Sequence, residues 1–257
     1  MAKPFGGGRP ASTGRNQVVK RLEEWIHTDV GEVKDKPLKW LSEMFFFRDA
    51  CRPAYSDLGY FFAPADGILL YQRTVGPDEA VVDIKGVPYS VRDALREASW
   101  DKPSLVIGIF MTFYDVHVNR IPYPGRLSYR ELDCIDTFNH PMLEVERSIL
   151  EDLRVSTDSA RYLHHNQRMV NRVESIQLGQ SYYILQIADY DVGCITPFTL
   201  KQSSPYVQGQ RFSQIRYGSQ VDLIVPLSSR YEFVPVQPTG CHVEAGVDPI
   251  VALRELP

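Results

Sequence analysis

The chain has few cysteines, and they are far apart. The four cysteines, Cys51, Cys134, Cys194 and Cys241, form no Cys-Xaa-Xaa-Cys pair, and no histidines are paired at ligand spacing. In a chain of 257 residues this pattern argues against a disulfide framework and a zinc site, so no metal is expected. Scattered cysteines also fit a reducing compartment, and the expected location is the cytoplasm.

Long apolar runs are missing as well. A membrane-spanning helix needs ~20 apolar residues, and the aromatic run Met44-Phe-Phe-Phe47 is much shorter. Residues 1–15 are rich in glycine and polar side chains, which predicts a disordered lead rather than a secretory signal. The rest of the chain, residues 16–257, is expected to form a single domain.

The charge balance argues against general nucleic-acid binding, although it allows local basic patches. The net charge is −4, whereas proteins that bind DNA or RNA broadly need excess Lys and Arg to neutralise phosphates. The sequence also has no glycine-rich loop of the kind that cradles nucleotide phosphates. No nucleic-acid partner and no nucleotide cofactor are therefore expected.

Helices are predicted near the N-terminus. Residues 16–28 have mixed charges on one face, which favours packing against the core or a dimer partner over lying on a membrane. The apolar face of that helix is formed by Val18, Val19, Leu22, Trp25 and Ile26. Residues 38–47 predict a second helix with Trp40, Leu41 and Met44 turned inward. A short helix over residues 90–97 is expected to be capped by Ser90 or Asp93.

The rest of the chain is rich in strand patterns. Residues 104–113 form a dense apolar run typical of a buried strand, while residues 142–153 fit either a helix or a strand. Further strands are predicted at 169–176, 181–187, 194–200, 211–217 and 221–225, with short strands and Pro/Gly turns in the tail. The expected fold class is α+β. Its core is mainly antiparallel and barrel- or sandwich-like, with peripheral N-terminal helices.

Two of these strand patterns meet at the pair Gly218-Ser219. Apolar and polar residues alternate on both sides of the pair, in the period of two that marks half-buried strands. A glycine inside such a pattern commonly marks a β-bulge, a bend or a close approach of the backbone. Taken locally, the pair indicates a bulge or tight turn with a surface serine.

Four segments, which follow one another in a particular order along the chain, favour a different interpretation of the Gly218-Ser219 pair. Arg216-Tyr-Gly-Ser-Gln-Val-Asp-Leu223 resembles the self-cleavage segment of the phosphatidylserine decarboxylase family. Ala63-Pro-Ala-Asp-Gly67 is similar to that family's Ser-Pro-Xaa-Asp-Gly element, and Phe113-Tyr-Asp-Val-His-Val-Asn-Arg120 to its Asp-Xaa-His element. Ile84-Lys-Gly-Val-Pro-Tyr-Ser90 resembles the segment between them, and Asn166-Gln-Arg168 is a weaker match to an Asn-Glu-Arg run.

The resemblance implies a covalent cofactor made from the chain itself. Ser219 would attack the carbonyl of Gly218, and the chain would be cut into residues 1–218 and 219–257. The new N-terminus would become a pyruvoyl group, which forms a Schiff base with an amine substrate and acts as an electron sink, as pyridoxal phosphate does elsewhere. Serine needs a base for this attack. By the motif match, Asp66 and His117 stand with Ser219 as a triad-like set.

The histidine element departs from the family pattern. Better-known members have two histidines three residues apart, and here His117 matches the first while Arg120 replaces the second. Arginine cannot act as a base near neutral pH. Either His117 performs both roles or another histidine, such as His164 or His165, serves self-cleavage. Substrate binding is predicted for Arg120, which suits a carboxylate or phosphate, and for Asn119 and Tyr217. The pair Asp189 and Asp191 is interpreted as a turn or a solvated face.

The implied activity is decarboxylation of phosphatidylserine to phosphatidylethanolamine and CO2, with peripheral membrane contact and a homo-oligomer expected. One alternative keeps the pyruvoyl group but takes a soluble amino acid or its derivative. A second alternative is a non-catalytic protein that kept the fold and lost the chemistry.

Overall fold

The computed structural model describes residues 19–48, 50–52, 56–190, 193–216 and 218–257. The predicted disordered lead, residues 1–15, lies outside these ranges, as do Tyr217 and Asp191. Within them the chain is mainly antiparallel strands with short helices, which confirms the predicted α+β class.

The helices are α1 Leu22–Trp25, α2 Gly31–Val33, α3 Leu38–Trp40, α4 Val91–Leu95, α5 Leu143–Leu150 and α6 Tyr162–His165. A π-helical turn, Ile26–Val30, joins α1 to α2, and another, Leu41–Phe45, extends α3. Ser90 caps α4 with a reciprocal Ser90–Asp93 capping box, as predicted.

The strands are β1 Lys20–Arg21, β2 Tyr60–Phe62, β3 Gly67–Val75, β4 Ala80–Ile84, β5 Val87–Ser90, β6 Ser104–Met111, β7 Val118–Arg120, β8 Gly125–Leu132, β9 Arg168–Ser175, β10 Gln180–Ala188, β11 Ile195–Pro197, β12 Ser204–Tyr206, β13 Arg211–Ile215, β14 Ser219–Pro226, β15 Tyr231–Pro235, β16 Cys241–Val243 and β17 Pro249–Glu255. In the described ranges the largest sheet has nine strands in the order β1-β16-β3-β6-β14-β10-β9-β8-β12. Smaller sheets are β11-β13-β7, β15-β17-β2 and the hairpin β4-β5.

The two N-terminal helices differ from the prediction in detail. Lys20 and Arg21 form a short strand against β16, so the helical segment begins at Leu22 and runs on to Val33. Leu41 is buried as predicted, but Trp40 and Met44 are 37% and 64% exposed. The inward prediction for those two side chains is wrong because the π-helical turn directs Leu41 and Phe46 to the interior instead.

Strands β6 and β14 lie side by side in the middle of the large sheet, and every residue of both is buried. Apolar clusters cover both faces of the sheet, because successive side chains of a strand point to opposite faces. Val221, Leu223 and Val225 belong to one cluster, and Ile224 belongs to the other. This double burial fixes the register of β14 and places Ser219, its first residue, in the core.

Candidate active site

Ser219 begins a buried strand in regular register. It pairs with Met111 on β6 and Ala188 on β10, and its side chain is fully buried. The Ser219 Oγ lies 3.3 Å from Sδ of Met111. Gly218 lies in a bend, as the local interpretation expects. The surface position of the serine in that interpretation is wrong, since neighbouring strands enclose Ser219 on both sides.

Asn119, a predicted substrate-binding residue, reaches the same sulfur atom. Its Nδ2 lies 3.6 Å from Met111 Sδ, and its Oδ1 accepts a 2.7 Å hydrogen bond from Nε2 of Gln186. Gln186 also donates to the hydroxyl of Ser213 at 3.0 Å. The fold thus brings Asn119 close to Ser219 and holds its amide in a buried polar network, whose other members the sequence did not single out.

His117 lies on the segment that joins β6 to β7. Its ring is fully buried, stacks on Phe46 with centroids 4.7 Å apart, and places Nδ1 3.0 Å from the backbone oxygen of Asp115. Its backbone carbonyl accepts from the N–H of Ile215, four residues before Ser219. His117 is therefore attached directly to the strand that leads into the Gly218–Ser219 bond.

Asp66 is buried in contact with an arginine. Its Oδ2 accepts a 2.5 Å hydrogen bond from Arg52, and its Oδ1 accepts one of 2.8 Å from the backbone N–H of Ala245. Gly67 follows with φ +150°, and a β-carbon there would clash with the backbone carbonyl of Phe110. The hydrogen bonds of Asp66 in the described ranges thus go to Arg52 and Ala245, rather than to His117 or Ser219.

Arg120 takes part in a different contact. Its guanidinium donates to the carbonyl oxygen of Gly209 at 3.0 Å, and its stem packs against Gly246. Tyr217, the third predicted substrate-binding residue, lies outside the described residues. The structure therefore places Asn119, His117 and Ser219 in one region, with Arg120 anchored to a neighbouring loop.

Two carboxyl groups lie against Gly218. A methyl group placed on its Cα would lie 2.9 Å from Oδ2 of Asp189 and 3.6 Å from Oε2 of Glu146. Asp189 is only 5% exposed and Glu146 only 4%. The interpretation of Asp189 as part of a solvated face is wrong, because its Oδ1 accepts from the backbone N–H groups of Met142 and Tyr190 inside the fold.

With this geometry in place, comparison with known proteins identifies the family. The sequence profile of the family described as phosphatidylserine decarboxylase matches residues 43–248. The chain belongs to the phosphatidylserine decarboxylase family. It is 31% identical over 209 residues to a phosphatidylserine decarboxylase proenzyme of Erythrobacter litoralis, covering 80% of this chain and 71% of that protein.

Other relatives agree. The phosphatidylserine decarboxylase proenzyme of Novosphingobium aromaticivorans is 28% identical, over 84% of this chain and 74% of the relative. That of Chlorobium phaeobacteroides is 28% identical, over 80% of this chain and 76% of the relative. These matches confirm the family predicted from the ordered motifs.

A buried ion pair formed by the aspartate of the Asp-Xaa-His element was missed. Nε2 of His242 lies 2.6 Å from Oδ1 of Asp115, and the His242 ring stacks on Trp25 with centroids 4.7 Å apart. Burial disfavours both charges, but each partner outweighs it. The pKa of His242 is raised above its usual value and that of Asp115 is lowered. No local signal could reveal this pair, since its members are 127 positions apart.

The structure also contains a cluster of one aspartate and two histidines that the sequence did not predict. Oδ2 of Asp136 lies 2.8 Å from Nε2 of His140 and 3.0 Å from Nδ1 of His165. Three such donors could hold a divalent cation. They also stabilise one another as a carboxylate between two imidazoles, which needs no ion. The expectation that no metal is bound stays a prediction, but the fold brings together three potential ligands from separate segments that the sequence did not indicate.

Proposed function

We propose that this chain is a self-cleaving carboxy-lyase that converts phosphatidylserine to phosphatidylethanolamine and CO2 with a pyruvoyl group made from Ser219. The observation that carries the proposal is the Gly218–Ser219 bond at the buried start of β14, in a member of the phosphatidylserine decarboxylase family. The site is buried. Asn119 contacts the same Met111 sulfur as Ser219, and Gln186 holds the Asn119 amide in place.

The chemistry of self-cleavage balances with one water consumed and one ammonia released. A bond forms from the Ser219 Oγ to the Gly218 carbonyl carbon, and the C–N bond of the peptide breaks. The Cα proton of residue 219 is then removed as its Cβ–Oγ bond breaks, which forms a Cα–Cβ double bond and leaves a carboxylate on Gly218. Water then replaces the nitrogen, and the double-bond carbon is protonated to leave a ketone. We assign His117 as the base that takes the Ser219 proton and Asp66, through its charge, as its supporting carboxylate.

The pyruvoyl ketone would supply an electron sink for loss of CO2. A buried setting suits it, because Ser219 contacts Met111 and Ala188 rather than solvent. We assign Asn119, Arg120 and Tyr217 to substrate binding. The Arg120 guanidinium would exchange the Gly209 carbonyl for a substrate carboxylate or phosphate.

The two pieces, 1–218 and 219–257, are expected to stay associated. Strand β14 of the short piece pairs with β6 and β10 of the long piece, and β16 and β17 pair with β1, β3 and β2. Breaking one peptide bond leaves all these ladders intact.

We retain the homo-oligomer as a prediction, which light scattering of the mature protein checks.

The proposal is tested by the intact mass of freshly purified protein under denaturing conditions, with and without a hydrazine trap for ketones. We expect two fragments that break at Gly218–Ser219, with only the smaller one shifted by the trap. One uncut chain with no trapped ketone would contradict the proposal and favour the non-catalytic alternative.

The segment from Lys36 to Arg48 favours a lipid substrate over a soluble amino acid. Trp40 and Met44 are exposed at its surface, and the Lys36 ammonium lies 5.8 Å from the Trp40 ring. Phe46 of the same segment stacks on His117. Exposed apolar side chains beside lysines suit an anionic bilayer surface, and the Phe46 contact would connect that surface to the active site. No helix in the described ranges is long and apolar enough to span a membrane.

We expect the chain to float with vesicles that contain phosphatidylserine, and a double substitution, Trp40→Ala with Met44→Ala, to weaken binding about 10-fold because it removes apolar area from the contact. The matched control is Ile176→Ala with Leu200→Ala, which removes two exposed apolar side chains elsewhere. Equal loss in both variants would contradict the assigned surface. Absence of flotation at every lipid composition would favour the soluble substrate.

A further inference from the structure

Glu146 and Asp189 are held at the scissile glycine by separate elements. Glu146 is on α5, and Asp189 directly follows β10. Oε1 of Glu146 accepts from the backbone N–H of Phe113 at 2.8 Å, while its buried Oε2, on the Gly218 side, has no hydrogen-bond partner in the described ranges. A buried polar atom without a partner is costly. The position of this unpaired Glu146 oxygen beside Gly218 points to a role at the bond to be cut.

The two carboxyl groups differ in their surroundings. Oδ1 of Asp189 accepts hydrogen bonds from the backbone N–H groups of Met142 and Tyr190, whereas Oε2 of Glu146 accepts none in the described ranges. Burial raises the pKa of Glu146 to about 8, and the nearby charges of Asp189 and Asp115 act in the same direction. Tyr114 faces Glu146 as well and stays neutral, since its own pKa is raised by burial. At neutral pH the Glu146 carboxyl is therefore protonated and can act as an acid beside Gly218.

We propose that Glu146 donates a proton to the nitrogen that leaves Gly218 during self-cleavage, and that Asp189 stabilises the resulting ammonium group. The inference rests on the proposed function and extends it to a step that Ser219, His117 and Asp66 leave unassigned. The site would thus contain an acid for the leaving nitrogen as well as a base for the attacking oxygen.

The step balances in atoms and charge. The Ser219 Oγ gives its proton to the base and bonds to the Gly218 carbonyl carbon. The C–N bond breaks, and its electron pair takes the Glu146 proton, leaving a free amino group on residue 219 and a carboxylate on Glu146. That amino group then takes the proton that the base accepted from Ser219, which gives an ammonium between the two carboxylates and returns the base to its neutral form.

The two carboxyl groups favour the acyl shift, which is the unfavourable step of self-cleavage. An ester with a free amine is less stable than the amide it replaces, so the acyl shift needs an interaction that stabilises the ester and the amine. An α-amino group has a pKa of roughly 7.7–8.0, close to that of Glu146, so the proton transfer is nearly thermoneutral. Two adjacent carboxylates then favour the ammonium form. After the second bond breaks, the same charges repel the new Gly218 carboxylate and oppose religation.

The test follows cleavage directly, without reference to decarboxylation. Full-length chain is made by cell-free synthesis, quenched in denaturant at intervals and weighed by mass spectrometry. We expect Glu146→Gln to slow cleavage about 100-fold or more, the usual range for a lost general acid, and Asp189→Asn to slow it about 10-fold. Glu146→Asp should restore part of the rate. The control is Glu144→Gln, which changes an exposed carboxylate on the same helix.

The pH profile separates proton donation from a structural role. Wild-type cleavage should slow above pH about 8, where Glu146 loses its proton, and Glu146→Gln should lack this decline. If the wild type cleaves and Glu146→Gln cleaves at the same rate, this inference is overturned but the proposed function is not. If that variant does not fold, a wild-type rate that does not decline above pH about 8 overturns it instead. A wild-type chain that never cleaves overturns the proposed function and this inference together.

Discussion

Ser219→Ala is expected to purify as one uncut chain with no trappable ketone and with decarboxylation reduced to background. The variant has no oxygen to attack Gly218 and no source for the pyruvoyl group. It should fold normally and melt cooperatively, because the Ser219 hydroxyl contacts only the weak acceptor Sδ of Met111 in the described ranges. Intact mass and a thermal melt measure both outcomes.

The control for this variant is Ser229→Ala. Ser229 is exposed and lies in the same short piece, so that variant should cleave as the wild type does. If Ser219→Ala were still cut and still trapped hydrazine, the cofactor would have to arise from another residue, and the assignment of β14 as the cleavage strand would be wrong.

His242→Gln is expected to lower the free energy of unfolding by about 3 kcal/mol at neutral pH. Removing one partner of a buried ion pair leaves the other charge uncompensated, which typically costs about 3–5 kcal/mol. The variant leaves Asp115 buried without its cation and removes the stacking partner of Trp25. Urea unfolding followed by tryptophan fluorescence measures the difference.

The effect should depend on pH with a defined sign. The His242 pKa is raised on folding, so its contribution is complete below about pH 6.5 and is lost as pH rises through the raised value. The Asp115 pKa is lowered, so its contribution is complete above about pH 3.9 and is lost as pH falls through the lowered value. The difference between wild type and His242→Gln should therefore be largest between these limits and shrink in alkali.

Two further variants make the comparison specific. His27→Gln changes an exposed histidine on the neighbouring helical segment and should leave stability unchanged. Adding Asp115→Asn to His242→Gln should recover part of the loss, because no unpaired charge then remains buried. A loss that is the same at all pH values, or no recovery in the double variant, would contradict the ion-pair explanation.

Local patterns were sufficient for much of the fold. The alternation around Val221, Leu223 and Val225 predicts a strand, and β14 forms there because its neighbours bury both faces. The Ser90–Asp93 spacing predicts a helix cap, and that cap is present. Such features depend on residues a few positions apart, so the local sequence is enough to predict them. The family assignment rests on the same kind of information, since its motifs are short and contiguous.

Other features needed the tertiary structure because they depend on which distant segments meet. The sequence predicts Ser219, His117 and Asp66 as candidate residues, but only packing places Arg52 against Asp66. Packing likewise joins Asp115 to His242 across 127 positions and buries Glu146 and Asp189 beside Gly218. A single carboxylate gives no local sign of burial in the sequence, and its burial together with its partners decides whether it stays charged. The sequence thus determined the family and many of the strands and predicted the bond to be cut, while the fold decided which charges surround that bond.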